Sequence, residues 1–280
     1  MSYLQKAAAA LALAAGVGIS LSATSEFVTI DVPGAVQDQL GGINSRGDLV
    51  GAFVGSDGRA HGFVLTKSEE LTQLDVPGAI FTNGSGINAR GDVVGRYDTP
   101  DNRMHGYRWN SDGYVSVNYP GAIQTTANSI NDEGEITGRY VDTAGKTHAY
   151  VFSHDTFKSF DVPEALSTQA QGINSRGDVT GPYTTTDGKT HGYLKDGDTF
   201  LNIDVPGAVL TMPFGLNTYD EVVGMYRTSN GANHGFLMTR AGFETIDVPG
   251  ISALRGINPR GDIVGSYTLA GKLHGLAILK

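Results

Sequence analysis

A single unit of about 43 residues, repeated six times, constrains this chain more than any other feature. The segment Ile30–Ala35 reads IDVPGA, and its acidic position recurs as Asp31, Asp75, Asn118, Asp161, Asp204 and Asp247. A GIN-type asparagine recurs as Asn44, Asn88, Asn131, Asn174, Asn217 and Asn258. A glycine recurs as Gly51, Gly95, Gly138, Gly181, Gly224 and Gly265, and a histidine as His61, His105, His148, His191, His234 and His274. Four landmarks moving in step mark a true repeat, which must be recognised before any local reading.

Within a unit, four short β-rich runs alternate with turn residues. The runs are typified by GIN, DVVGRY (92–97), HGFVL (61–65) and FLNIDV (200–205). Between them lie NSRGD, TTDGK (185–189), KDGD (195–198) and VPGA. Gly, Asn, Asp and Pro punctuation around runs of four to six residues is the signature of hairpins. Four strands in such a length is the size of a propeller blade, and six blades lie within the range that closes a ring. The expected fold is therefore all-β: a six-bladed β-propeller with four antiparallel strands per blade. The chain enters with a fourth-strand segment (27–35) and leaves with a third-strand segment (274–280). The N-terminal strand is thus expected to complete the last blade, which hides two sheet edges. An open β-solenoid is the competing architecture; its coils are usually shorter.

Residues 1–24 differ from the rest. Lys6 precedes an apolar run from Ala7 to about Ile19, followed by small residues up to Ala23. This is the pattern of a cleaved export signal; the run is short for a membrane span, which needs about 20 apolar residues. The expected division is a signal peptide at 1–24 and one propeller domain at 25–280, secreted or periplasmic, with no membrane span after cleavage. The chain has no cysteine, which removes disulfides and thiolate chemistry. A net charge of -9 argues against a nucleic-acid partner.

The tripeptide Arg-Gly-Asp appears four times, at Arg46, Arg90, Arg176 and Arg260, while the other two units read NDEGE (131–135) and NTYDE (217–221). A turn, with Asn first and a left-handed residue fourth, explains all six; adhesion explains four.

Histidine and the acidic landmark are separated by 14 residues once, from His61 to Asp75, and then by 13, from His105 to Asn118, His148 to Asp161, His191 to Asp204, and His234 to Asp247. In a hairpin this spacing sets the pair directly opposite across strands three and four. One structural His–Asp hydrogen bond per blade is expected, with Asn118 accepting in one blade and Asp31 reaching His274 through ring closure. Six copies argue against catalysis. The aromatics Phe53, Tyr97, Tyr140, Tyr183, Tyr226 and Tyr267 are expected to fill space between blades.

These motifs, HGF, HGY and HAY (148–150) after a DG or AG turn with GINxxGDVVG before it, resemble the HAF-repeat family of extracellular bacterial proteins across essentially the whole mature chain. The resemblance implies export and a repeat architecture. It carries no activity and no site residue.

Function is expected where the copies diverge, in segments read as loops between strands four and one: 36–41, 80–85, 123–128, 166–171, 209–214 and 251–255. Three positions before GIN stand Gln39, Asn83, Thr126, Gln169, Met212 and Ala253; one position before stand Gly41, Ser85, Asn128, Gln171, Phe214 and Arg255. The ligand-binding candidates are Gln39, Asn83, Thr126, Asn128, Gln169, Gln171, Phe214 and Arg255. Amides and hydroxyls around a funnel suit a carbohydrate or other small polar ligand. A protein-interaction or envelope scaffold is the alternative. A propeller-type glycosidase, lyase or lactonase ranks below both, since the only non-recurrent acids here are Asp38 and Glu164, a poor acid–base pair. No catalytic residue, metal or cofactor is expected, and the protein is expected to be a monomer.

Overall fold

The computed structural model describes residues 26–280; the expected signal segment lies outside the described residues. Among those described there is no helix, and 25 strands follow one another. The first, β1 (Glu26–Ile30), precedes six units. Unit one holds β2 (Gln37–Ile43), β3 (Leu49–Val54), β4 (Ala60–Leu65) and β5 (Leu71–Leu74). Unit two holds β6 (Phe81–Ile87), β7 (Val93–Asp98), β8 (Met104–Asn110) and β9 (Gly113–Val117). Unit three holds β10 (Gln124–Ile130), β11 (Ile136–Val141), β12 (Thr147–Ser153) and β13 (Thr156–Phe160). In unit four the inner strand is split into β14 (Ser167–Thr168) and β15 (Gly172–Ile173), before β16 (Val179–Thr184), β17 (Thr190–Asp196) and β18 (Thr199–Ile203). Unit five holds β19 (Leu210–Leu216), β20 (Val222–Arg227), β21 (Asn233–Thr239) and β22 (Gly242–Ile246); unit six holds β23 (Ile251–Ile257), β24 (Ile263–Leu269) and β25 (Lys272–Leu279).

Each unit is an antiparallel meander, and unit six gains its fourth strand from the other end of the chain. There β1 pairs antiparallel with β25, from Glu26 opposite Leu279 to Ile30 opposite Gly275. Adjacent units touch at the sheet edge by single parallel pairs, Ala60 with Phe81 and Thr190 with Leu210.

The apolar core lies between units. Val50, Val64 and Leu74 of unit one pack on Ile87 and Val93 of unit two. Val94 and Val117 meet Ala127, Ile130 and Ile136 of unit three. The same arrangement joins units three and four, four and five, and five and six. A sixth cluster joins Val28 and Ile30 of β1 and Val264 of unit six to Leu40, Ile43, Leu49 and Phe63 of unit one. Each such fully buried side chain contributes roughly 1.5–3 kcal/mol.

The segments expected as loops before GIN are instead the inner strands themselves. Five of them carry a β-bulge, with register shifts at 40/42, 84/86, 127/129, 213/215 and 254/256. A bulge inserts one unpaired residue and re-aims its neighbours. Its cause is visible one strand away. A Cβ on Gly138 would lie 1.9 Å from the carbonyl oxygen of Thr126, and the other five recurrent glycines stand against the equivalent carbonyl at 2.0–2.2 Å. The second-strand glycine recurs because no side chain fits beneath that carbonyl. Unit four carries the same one-residue shift, between Thr168 opposite Tyr183 and Gly172 opposite Thr180, but its inner strand is interrupted there. Pro182 stands where its second strand would donate an N–H to the inner strand, so that ladder loses a rung, while the amides of Gln169 and Gln171 still donate to Pro182 and Thr180.

Candidate functional site

The recurrent polar residues form scaffold. Nδ1 of each histidine donates to its partner: 2.8 Å from His61 to Asp75, 2.9 Å from His148 to Asp161, 2.9 Å from His191 to Asp204, 2.9 Å from His234 to Asp247, and 2.8 Å from His274 to Asp31. His105 to Asn118 is longer, at 3.3 Å. The aromatics expected to fill space between blades lie opposite these histidines within their own unit and pack on the imidazoles, with centroids 4.9–5.5 Å apart. Strand register puts them there: Tyr97 opposes His105 and Tyr140 opposes His148. Their hydroxyls bond strand four, as from Tyr97 to Ser116 at 3.0 Å and Tyr140 to Ser159 at 2.9 Å.

The asparagine of GIN does more than start a turn. Oδ1 of Asn44 accepts from the amides of Arg46, Gly47 and Asp48 at 2.9–3.0 Å, and Nδ2 donates to Asp48 Oδ2. The same Nδ2 donates at 2.9 Å to the carbonyl of Asn88 in the next unit. Asn88 donates to Asn131, Asn131 to Asn174, Asn174 to Asn217 and Asn217 to Asn258 in the same way, at 3.0–3.4 Å. Asn258 then donates to the carbonyl of Asn44 at 3.2 Å, so six amides form one continuous circuit.

The Arg-Gly-Asp repeats are built into the same layer. Arg260 bonds Asp262 of its own turn and the carbonyl of Ser45 in unit one, 2.6 Å away. Arg46 and Arg90 likewise reach the carbonyls of Ala89 and Asp132. The paired carboxylates are mostly covered: the side chains of Asp48, Asp178 and Asp262 are 7%, 7% and 4% exposed. Hydrogen bonds from Asn44, Lys67 and Arg46 outweigh the upward push of burial and hold the Asp48 carboxyl below its ordinary value. A carboxylate so engaged is not free to meet an outside cation. In NTYDE, Asp220 takes the left-handed place of the glycine, at φ 62, and its carboxylate receives Arg176.

Above this layer the six inner strands enclose a cavity of about 410 Å³. Gln39, Asn83, Thr126 and Gln169 line it, as do Asn128, Gln171, Phe214 and Arg255 one turn of the bulge further on. The structure thus brings all eight candidates to one space, although strands rather than loops carry them. Asn128 is partly committed, donating to the carbonyl of Ala170 at 2.8 Å, and Gln171 donates to Gln169 Oε1 at 3.3 Å. The side-chain hydroxyl of Thr126 is buried without a partner. Phe214 sits under Arg255, whose guanidinium carbon lies 5.1 Å from the ring centre.

Both further arginines of the cavity, Arg96 and Arg139, were missed by sequence reasoning. They stand on second strands, opposite Asn83 and Thr126. The column after the recurrent glycine reads Ala52, Arg96, Arg139, Pro182, Met225 and Ser266, as variable as the candidate columns; comparing copies there carries the signal. Arg96 pairs with Asp98 at 3.0 Å and lies over Phe81.

The two non-recurrent acids are not axial. Asp38 is buried, accepting from the amides of Val32 and Gly275 at 3.1 and 2.8 Å, which ties β2 to β1 and β25. Burial pushes its carboxyl up to about 6 against the pull of those amides. Thr82, Thr125, Thr168 and Thr211 make the equivalent bond elsewhere. Glu164 occupies the left-handed place of glycine in an exposed VPEA turn, at φ 63. A second, more apolar cavity of about 630 Å³ lies along the seam of β1, β25 and unit one.

Neither a protein-family model nor a curated protein matches the chain. Solved structures do. AofleA from Arthrobotrys oligospora matches with a TM-score of 0.58 at 14% identity, over 92% of this chain and 87% of that one. The Aleuria aurantia lectin, a six-bladed β-propeller with a fucose recognition mode, matches with a TM-score of 0.51 at 12% identity, over 86% and 91%. The β-propeller domain of the Trilobed protease from Pyrococcus furiosus, described with an open velcro topology, matches with a TM-score of 0.55 at 10% identity, over 88% and 82%. The likeness is one of fold. This chain has a β-propeller fold, and at such identities nothing beyond the fold follows from it.

Proposed function

We propose that the chain is a six-bladed β-propeller, closed by its N-terminal strand in the last blade, and that it binds a glycan or other small polar ligand in the central cavity. The pairing of β1 with β25 and the asparagine circuit support the closed ring. One observation carries the binding reading: units that agree at the asparagine differ at every bulge, and those differing residues line one cavity. A cavity of 300–1,000 Å³ with a few convergent polar groups is the usual form of a small-molecule site. The lectins that share the fold make carbohydrate the first class to test.

The reading includes export, with 1–24 as the cleaved signal, and kinship with the HAF-repeat proteins. N-terminal sequencing of the mature chain from a periplasmic or culture fraction tests the first. A glycan panel probed with residues 25–280, with reducing-end release read from the same wells, tests binding against catalysis: binding without release supports a lectin-like module, and release of product overturns it.

A protein-interaction scaffold is favoured by one observation of its own. Val36, Ile80, Ile123, Leu166 and Val209, the residue after the VPGA-type turn in five successive units, are 43–53% exposed. Silence on the glycan panel together with a protein captured through these side chains supports that alternative.

A further inference from the structure

The central cavity breaks the repeat with charge as well as with amides. Of its lining residues, three carry guanidinium groups, Arg96, Arg139 and Arg255, and one carries a carboxylate, Asp132. Asp132 lies six residues beyond Thr126 along the inner strand, roughly 15–20 Å at the rise of a strand, and its Oδ1 is taken by the amide of Ala89 at 2.7 Å. Among the described residues Arg96 alone of the three has a counter-ion, Asp98. Among the described residues Arg139 and Arg255 have no ion pair, and Nε of Arg255 is buried without a hydrogen-bond partner. Both residues are half-buried; burial pushes the Arg255 guanidinium below its ordinary value, and burial and the neighbouring charge of Arg96 do the same to Arg139.

Half-buried cations without a counter-ion are costly, because part of their hydration is lost, and for Arg255 the face of Phe214 replaces only some of it. The protein as a whole is strongly acidic, at net -9, so a local excess of positive charge in its central cavity is not a by-product of composition. Nor is it a property of the repeat: the positions equivalent to Arg139 are Ala52, Pro182, Met225 and Ser266, with Arg96 the one match, and those equivalent to Arg255 carry no charge. Beside Arg139, in register with it, stands the unpartnered hydroxyl of Thr126. Around them are the amides of Gln39, Gln169 and Gln171. A ligand that satisfies this set must bring an anion for the guanidiniums and hydroxyls for the amides.

We infer that the ligand of the central cavity is a sugar acid, its carboxylate received by Arg139 or Arg255 and its hydroxyls by the amide rim. This rests on the glycan-binding reading and narrows it. Charge-assisted hydrogen bonds from a guanidinium to a carboxylate are the strong ones, and the cavity wall screens them less than bulk water would.

The test is calorimetric titration of residues 25–280 with the methyl glycosides of galacturonate and glucuronate, each against its neutral twin, galactose and glucose. The acid is expected to bind at least tenfold tighter than the twin, with the preference shrinking several-fold between 50 and 500 mM salt. Arg139→Gln and Arg255→Gln are made separately; at least one of them is expected to bring the ratio near one while leaving the neutral twin within about twofold. The salt arm uses unaltered protein, so a variant that fails to fold does not remove the test. Equal binding of acid and twin, or an acid preference untouched by salt and by both substitutions, overturns the inference and leaves the glycan reading standing. Silence towards these four and towards the whole glycan panel overturns both.

Discussion

Just past its C-terminal end every inner strand carries the same asparagine, bonded into the next unit; three residues earlier, at the bulge, no two units agree. Gly41, Ser85, Asn128, Gln171, Phe214 and Arg255 share a place, a backbone and little else. The ends differ in what surrounds them. Asn44 satisfies three amides of its turn and a carbonyl of the neighbouring unit, so any replacement leaves several buried groups without partners. The bulge residue faces a cavity, and its replacement changes what the cavity presents. The lower layer is therefore held constant by hydrogen bonding, and the upper layer is free to vary with the ligand.

The glycine between the layers offers the severest way to break this comparison. Gly138→Ala would put a methyl group 1.9 Å from the carbonyl of Thr126. The bulge must move or the second strand must part from the first. A loss of about 4 kcal/mol or more is expected, at the upper end of single substitutions. Gly34→Ala, in an open turn at φ +81 with nothing within 4 Å, is its control; strain there costs about 1–2 kcal/mol. Urea denaturation midpoints for the pair check both, and similar losses would refute the role given to the carbonyl.

Next in size is the asparagine layer itself. Asn88→Ala removes the acceptor of two turn amides and the donors to Asp92 and Asn131. The expected loss is about 3 kcal/mol, from orphaned groups at roughly 1–3 kcal/mol each. A loss under 1 kcal/mol in the same denaturation experiment would show that the circuit is geometry without energy.

How much of this was legible in the chain follows from the range of each interaction. Except for His274 with Asp31, the histidine contacts lie within one hairpin, so a separation of 13 residues and a turn midpoint suffice to place His191 opposite Asp204. Strand order within a unit was legible for the same reason. The asparagine circuit was not: each Asn reads locally as a turn starter, and its second role needs the next unit beside it. The inner strands read as loops in the sequence because the copies diverge there, and divergence is usual for loops; pairing on the second strand and contact with the next unit make them strands instead. The aromatics do pack between units, with Phe53, Tyr183, Tyr226 and Tyr267 in the clusters that join neighbours; not legible was that cross-strand register also sets each on its own histidine. Arg96 and Arg139 went unnoticed because DVVGRY was read for its pattern, and a strand pattern does not tell which neighbour a side chain meets.

Asp38 sharpens the comparison through pH. It stands where four of the other inner strands carry threonine and is the one carboxylate buried at the seam of β1, β2 and β25. Its folded value, about 6, lies above the unfolded 3.8. The folded protein therefore binds more protons between those values. The stabilisation is complete below about 3.8 and is lost as pH rises through about 6, by up to about 3 kcal/mol at 1.36 kcal/mol per unit. Asp48 and Asp262, held below their ordinary value by hydrogen bonds from asparagine, arginine and backbone amides despite burial, act in the opposite sense and in a different window, losing their contribution only as pH falls below 3.8. Melting temperatures between pH 4.5 and 7.5 are expected to fall more steeply for the native chain than for Asp38→Thr. Parallel curves would remove Asp38 from the account.

The smallest effect on stability belongs to the cavity rim, and it decides whether the upper layer is functional. Among the described residues no hydrogen bond ties the Gln39 side chain to the protein, and it lines the cavity. Gln39→Ala removes one amide and orphans nothing, so stability is expected to stay within about 0.5 kcal/mol. Ligand affinity, measured by titration with whichever glycan the panel returns, is expected to drop about five- to tenfold, the loss of one or two hydrogen bonds at about 1 kcal/mol each. A residue that costs nothing to fold and something to bind is the mark of a site. If affinity survives Gln39→Ala and likewise Gln171→Ala, the variation at the bulges is only tolerated drift, and the exposed aliphatics at Val36, Ile80, Ile123, Leu166 and Val209 become the surface to test.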